Sequence, residues 1–166
     1  INHNTKIVNI VKNFVKKIKN IVVQNKPPIN EYDLYTLENY NKNEKNIYVI
    51  ENNTKWWFTI NTINKLISTN LAYFDTDTLL VLSKPPNNPY NNKPFSYLQL
   101  LSIYEQLNKY NSVSQIFNIY KIAQFNHFIF INQFNCYIKN YTSKYEIYTL
   151  TKDVIVDLFD NILSSY

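Results

Sequence analysis

Glycine, methionine and arginine are absent from the 166 residues of this chain. Without glycine, neither a phosphate-binding P-loop nor a dinucleotide fingerprint takes its usual form, because both need backbone that approaches phosphate with no Cβ in the way. The same absence passes tight turns to asparagine, which tolerates left-handed backbone better than other side chains. Without arginine, bidentate contacts to phosphates and base edges give way to the point charge of lysine. The single Cys136 excludes an intramolecular disulfide, so the fold must stand on packing, and a reducing compartment is expected. With His3 and His127 as the two histidines, the ligand set is too small for a zinc-type site. The carboxylates Asp75 and Asp77 read as a solvated acidic loop, since no phosphate-binding partner accompanies them as it would at a Mg²⁺ site. Catalysis by a nucleophile, a base and an orienting group is equally unsupported, and His127 reads as a packed helix residue. No enzymatic activity, cofactor or metal is therefore expected. The longest uncharged run, 122–138, is broken by Gln124, Asn126, His127, Asn132, Gln133 and Asn135, too polar for a spanning helix of about 20 apolar residues. No initiator methionine opens the chain, so it is expected to begin inside a longer product or after processing.

What fills the chain instead is asparagine, isoleucine, lysine and aromatics, with 15 tyrosines and 10 phenylalanines. This is the signature of an AT-rich coding sequence, since those residues have AT-rich codons. Charge is unevenly placed. Residues 1–26 carry six lysines and no acid, so the remaining 140 hold eleven lysines against twelve acids, a balance of −1 within the total of +5. A basic arm precedes a neutral body.

From Thr5 to about Gln24 the residues Ile7, Ile10, Val11, Phe14, Ile18, Ile21 and Val22 recur at three- and four-residue steps with lysines on the other side, which predicts an amphipathic helix ended by Pro27 and Pro28. Residues 27–46 read as a polar linker that lies on the body or is partly disordered. The runs 47–50 and 55–60, β-branched and aromatic, flank a turn-prone Glu51-Asn52-Asn53-Thr54 and predict a β-hairpin. A helix to about Thr69, capped by Asn61 or Thr62, is expected to bury Ile63, Leu66 and Ile67.

The segment 85–96, Pro-Pro-Asn-Asn-Pro-Tyr-Asn-Asn-Lys-Pro-Phe-Ser, is a rigid polar loop that ends in a helix start. Ser96 and Gln99 have capping-box spacing, and Phe95 and Leu100 occupy the staple positions. A second Ser-x-x-Gln at Ser112 predicts another helix, Asn126 the cap of a third that buries Phe130, Ile131, Phe134, Tyr137 and Ile138, and Thr151 the cap of a last one. The whole predicts an α+β, predominantly helical fold: a hairpin and helix followed by a C-terminal helical array, 47–166 as one domain, with a basic arm over 1–26. Adjacent Trp56 and Trp57 point to opposite faces of a strand, so one is expected in the core and the other at a partner. Lys12, Lys16 and Lys19 of the arm, Trp56, Trp57 and Tyr90 are the candidate partner-binding residues. Asn88, Pro89, Pro94, Phe95, Ser96 and Gln99 are the expected structural loop and cap. For the arm, a helix packed on its neighbour with its lysines in solvent is the bland reading, followed by an acidic protein, nucleic acid and membrane.

Phe58, Ile60, Leu66, Ile67, Asn88, Pro89, Tyr90, Pro94, Phe95, Leu101, Ile103 and Tyr104 together resemble a pattern in an uncharacterised group of proteins from giant viruses, the nucleocytoplasmic large DNA viruses. It comprises an aromatic hairpin and helix, an Asn-Pro-Tyr-x-x-x-Pro-Phe loop and a helix with a Leu/Ile-Tyr pair, over roughly 47–110. The resemblance implies a viral product and, with the aromatic excess and basic arm, a minor capsid or other virion protein found in particles and in host cytoplasm during assembly. Neighbouring capsid proteins are then its partners. The element order is also similar to the metal-free U-box, which implies an adaptor as an alternative, beside a nucleic-acid-associated factor acting through the arm and a subunit of a divergent mitochondrial assembly.

Overall fold

A computed structural model describes Val11, Phe14, Val15, Ile18 and residues 21–23, then residues 25–75 and 80–149, with side chains followed to Lys144. The fold is α+β and predominantly helical. Strands β1 (Asn46–Glu51) and β2 (Thr54–Thr59) lead into helix α1 (Ile60–Leu71). The pairs β3 (Phe74–Asp75) with β4 (Leu80–Val81), and β5 (Asn87–Asn88) with β6 (Lys93–Pro94), are antiparallel and two residues long. Helices α2 (Tyr97–Lys109), α3 (Gln115–Ile122) and α4 (His127–Thr149) follow. The chain divides into two compact units, Ile1–Ile67 with Asn87–Ser114 and Ser68–Pro86 with Gln115–Tyr166, and the division falls inside α1. The helix expected from Thr151 lies outside the described residues.

In the first unit the hairpin pairs Tyr48 with Trp57 and Val49 with Trp56 around the turn Asn52-Asn53. Both turn residues have positive φ, 48° and 64°, as a two-residue type I′ turn demands. Among the described residues, seven adopt positive φ, and Asn52, Asn53, Asn92 and Asn111 are four of them. Asparagine thus takes the place that glycine holds elsewhere. Two helix ends among the described residues also close on a left-handed residue other than glycine. At the end of α2, Asn111 is left-handed while Ser112 N–H donates to Leu107 O and Asn111 N–H to Asn108 O. At the end of α3, Gln124 is left-handed with the matching bonds from Phe125 to Tyr120 and from Gln124 to Lys121. These are Schellman closures made without glycine.

The Ser96 cap forms as its spacing predicts. Ser96 Oγ accepts from Gln99 N–H at 3.4 Å, and Gln99 Oε1 accepts from Ser96 N–H at 2.8 Å. Phe95 and Leu100 are both buried. Ser96→Ala is expected to lower stability by about 1 kcal/mol in urea denaturation. Asn126 also caps as expected, accepting Ile129 N–H on Oδ1 at 3.1 Å at the start of α4. Two other caps differ. Helix α1 starts at Ile60, and its cap is Thr59, whose hydroxyl accepts Thr62 N–H at 3.1 Å, because the last strand residue already places an oxygen over the first turn. Helix α3 starts at Gln115, since Ser112 is engaged in closing α2.

In the second unit, Phe117, Tyr120, Phe125 and Phe130 form an aromatic cluster with centroid separations of 5.0 to 5.7 Å. His127 joins its edge 6.1 Å from Tyr120, and its Nε2 lies 3.1 Å from Ser83 O. It is a packed helix residue, as expected. Of the residues predicted to be buried in α4, Phe130 and Ile138 are enclosed, Phe134 and Tyr137 are half-buried, and Ile131 is exposed. Ile131 stands about 100° round the helix from Phe130, off the face that Phe130, Ile138 and Thr142 bury at four-residue steps. The helix is kinked at Phe134, with φ −115° and ψ 18°.

Candidate functional site

The hairpin organises the first unit, and each of its faces and edges has a separate cover. Tyr48, Ile50, Lys55 and Trp57 form one face. Ile47, Val49, Trp56 and Phe58 form the other, since side chains alternate along a strand. Segment 27–46 lies on the first face. Tyr40 packs at 5.4 Å on Trp57 and 6.5 Å on Tyr48, and its hydroxyl meets the Tyr48 hydroxyl at 3.0 Å. Lys55 Nζ sits 4.1 Å over the Tyr48 ring. Burial, reinforced by the Tyr40 hydroxyl, pushes the Tyr48 phenol up to about 12, and burial lowers the Lys55 ammonium.

The two residues that fasten this cover are Asn30 and Asp33, both buried. Asn30 Oδ1 accepts Trp57 N–H at 3.0 Å, its Nδ2 donates to Trp57 O at 2.9 Å, and its backbone carbonyl accepts the indole Nε1–H at 2.7 Å. Asp33 is 0% exposed. Its Oδ1 accepts from Tyr35 N–H, Thr36 N–H and the Thr62 hydroxyl, and its Oδ2 from Thr59 N–H, at 2.8 to 3.2 Å. One carboxylate therefore closes a single turn, the end of β2 and the start of α1 together.

On the opposite edge, Gln106 of α2 repeats what Asn30 does. Gln106 Oε1 accepts Tyr48 N–H at 2.9 Å and its Nε2 donates to Tyr48 O at 2.8 Å. Gln99 Nε2 donates to Ile50 O at 3.1 Å. Tyr48 and Trp57 face each other across the ribbon as a non-hydrogen-bonded pair. Both of their outward-facing peptide groups are thus gripped by carboxamides. Between β1 and α2 runs an open cleft of about 1020 Å³, lined among others by Glu51, Lys93, Leu98, Ser102 and Glu105. Glu51 accepts from Asn91 Nδ2 at 2.7 Å and lies 3.9 Å from Lys93 Nζ.

The second face carries the proline loop. Asn88, buried, accepts Tyr90 N–H on Oδ1 at 3.1 Å, while Asn91 Oδ1 accepts Lys93 N–H at 3.0 Å. The Asn92 and Asn91 amides both return to Asn88 O. Pro89 is half-buried and Pro94 exposed. The Tyr90 ring stacks on Trp56 at 4.9 Å with planes 16° apart and tilts against Phe58 at 5.7 Å. Its hydroxyl accepts from Asn30 Nδ2 at 2.8 Å and donates to Tyr32 O at 2.9 Å. Burial raises the phenol, and the Asn30 hydrogen bond opposes the rise. Trp56 Nε1 and Asn88 Nδ2 are enclosed with no hydrogen-bond partner.

Trp56 and Tyr90 come together as one half-buried stack. Trp57, expected among the partner-facing residues, is 1% exposed and enclosed by Tyr40, because an indole with a wide apolar face draws the preceding segment over it. Tyr90 was expected to face a partner on the ground that its neighbours satisfy the local turn; in the structure its own ring and hydroxyl are engaged within the unit. Tyr90→Ala is expected to cost about 2–3 kcal/mol and Tyr90→Phe about 1 kcal/mol in chemical denaturation, the difference being the ring. Lys12, Lys16 and Lys19 lie outside the described residues, as do Thr76 and Asp77. Residues that sequence reasoning passed over are Asn30, Asp33 and Gln106. In a chain so rich in asparagine, nothing separates Asn30 from its neighbours; Asp33 offered only its turn-forming character.

No family model, curated protein or solved structure matches the chain. Among the described residues no group of three His, Cys, Asp or Glu side chains is placed to hold a metal ion, and no helix is long and apolar enough to cross a membrane.

Proposed function

We propose that this chain is a non-enzymatic interaction component of a larger assembly. The observation that carries this reading is the stripe of helical residues Val11, Phe14, Val15, Ile18, Ile21 and Val22, each 44 to 62% exposed. Six large apolar side chains at three- and four-residue spacing form a contiguous face, and faces of that kind on folded proteins mark interaction sites. In the unit that carries it Trp57 and Phe58 are enclosed, while Tyr32, Tyr35 and Tyr97 are exposed.

The resemblance of the hairpin, loop and following helix to the giant-virus group supports the finer reading, in which the assembly is a virion and the chain a minor capsid or other particle protein. Mass spectrometry of purified particles tests it. The chain is expected at a copy number that survives salt washing, and its absence from particles would overturn the reading.

A further inference from the structure

We propose that the turn at residues 33–38 docks into the cleft between β1 and α2 of a second copy of the chain, so that copies add head to tail. This rests on the reading of the chain as an assembly component and names one of its contacts. Residues 29–40 form a small hairpin of their own. Tyr32 bridges Asn39, Tyr40 N–H donates to Glu31 O at 2.9 Å, and Asp33 N–H donates to Glu38 O at 2.9 Å. Its tip is fixed by Leu37 N–H on Asp33 O at 2.9 Å and by the Asp33 carboxylate, which accepts from the Tyr35 and Thr36 amides. Leu34, Tyr35 and Leu37 stand on that tip 44, 53 and 71% exposed. Leu37 has φ 58°, a left-handed backbone that is unfavourable for leucine and that asparagine tolerates. Elsewhere the chain uses asparagine for this purpose, at Asn52, Asn53, Asn92 and Asn111. Phe125, also at positive φ, is buried in the aromatic cluster, where packing offsets the strain. Leu37 has no such compensation. A leucine there serves neither its own backbone nor the interior, so what it serves lies outside the unit.

Charge and position choose the occupant. Residues 29–40 hold Glu31, Asp33 and Glu38 and no lysine, and Lys65 stands 6.0 Å over the Tyr35 ring at one side of the tip. Anionic headgroups and nucleic-acid phosphates would repel the exposed Glu31 and Glu38. The host for this tip is therefore a protein surface with apolar side chains and lysines. The cleft between β1 and α2 carries both. Leu98 lies in it 61% exposed, and Lys55, Lys93 and Lys109 line it beside Glu51 and Glu105. Glu51 is already engaged by Asn91 and Lys93. At about 1020 Å³ the cleft has room for the three side chains of the tip. Tip and cleft lie along opposite edges of the β1–β2 ribbon, since the Asp33 carboxylate accepts Thr59 N–H on the outer side of β2 and the cleft follows the outer side of β1. Within one chain they stay apart; between two copies they meet. Because the two surfaces differ, the contact is heterologous, and each copy that joins leaves one tip and one cleft for the next, as in a ring or a filament.

The test is sedimentation velocity of the full chain from about 1 µM to about 1 mM, the span of weak to moderate association. The weight-average sedimentation coefficient is expected to climb with concentration. Leu37→Asn should hold the chain as a monomer with an unchanged or higher melting temperature, since asparagine suits the backbone there. Leu98→Asp should do the same from the cleft side, where an acid in the first turn of α2 is compatible with the helix. Mixed together, the two variants should form a dimer that grows no further, because one keeps its cleft and the other its tip. A chain that stays monomeric over the whole range would overturn the proposal. So would self-association that either substitution leaves intact, a melting temperature lowered by Leu37→Asn, or a mixture of the two variants that stays monomeric. Association abolished by Ile18→Asp and untouched by Leu37→Asn would overturn it by assigning self-assembly to the N-terminal stripe. Absence of the chain from purified particles would remove the virion reading and leave a positive sedimentation result standing.

Discussion

Asp33→Ala is expected to lower the stability of the chain by about 3–5 kcal/mol, a large share of the 5–15 kcal/mol that holds an ordinary domain folded. The reason lies in how many groups depend on one side chain. Its two oxygens accept four hydrogen bonds from Tyr35, Thr36, Thr59 and Thr62, and truncation leaves the donors at Thr59 and Thr62 in an interior that water reaches poorly. An unmade bond to a buried donor costs more than a made one contributes. Asp33→Asn separates acceptance from bulk. The amide oxygen still serves part of the set, while its NH₂ is set against the Thr59 N–H or the donors on the other side, so a loss of about 2 kcal/mol is expected. Urea denaturation midpoints with unchanged slope are the measurement. A loss under about 1 kcal/mol for Asp33→Ala would show that solvent already serves these donors.

Trp57→Ala is expected to cost about 3–5 kcal/mol, the range for emptying a buried aromatic site. The indole is enclosed between the hairpin and Tyr40, and its Nε1–H is the donor to Asn30 O at 2.7 Å. Trp57→Phe keeps an aromatic ring in the site and orphans that carbonyl, so a smaller loss of about 1–2 kcal/mol isolates the hydrogen bond from the packing. Trp56 provides the internal control. Its ring is half-buried and stacks on Tyr90, and Trp56→Ala should cost clearly less than Trp57→Ala in the same titration. Equal losses would mean that both indoles are core residues and that the two hairpin faces are equally closed.

The elements that local chemistry specifies were legible in the sequence. The hairpin register follows from two β-rich runs around Asn52-Asn53, and the Ser96 and Asn126 caps follow from spacing alone. What stayed hidden is contact between residues distant along the chain. Asn30 reaches 27 positions to Trp57, Gln106 reaches 58 positions to Tyr48, and Asp33 spans 29 to Thr62. Carboxamide and carboxylate side chains carry no periodicity, so segment 27–46 read as a linker that lies on the body or is partly disordered; it lies on the body, and which contacts hold it there was not legible. The kink at Phe134 was hidden for a related reason, since counting a stripe presumes an unbroken helix. Of the candidate surface, the apolar stripe of the arm was legible as a pattern. That Val23, and not the stripe, is the buried part was not.

The carboxamide grip on both margins of the hairpin has a kinetic consequence. A two-stranded ribbon ordinarily leaves outward peptide groups ready to template another strand, the route to fibril growth. Here Gln106 holds the Tyr48 peptide and Asn30 the Trp57 peptide, each as donor and acceptor at once. A third strand would have to displace the amide head on whichever edge it approached before it could pair. The Tyr48 and Trp57 amides should accordingly exchange with deuterated solvent as slowly as amides inside the ladder, although neither belongs to it.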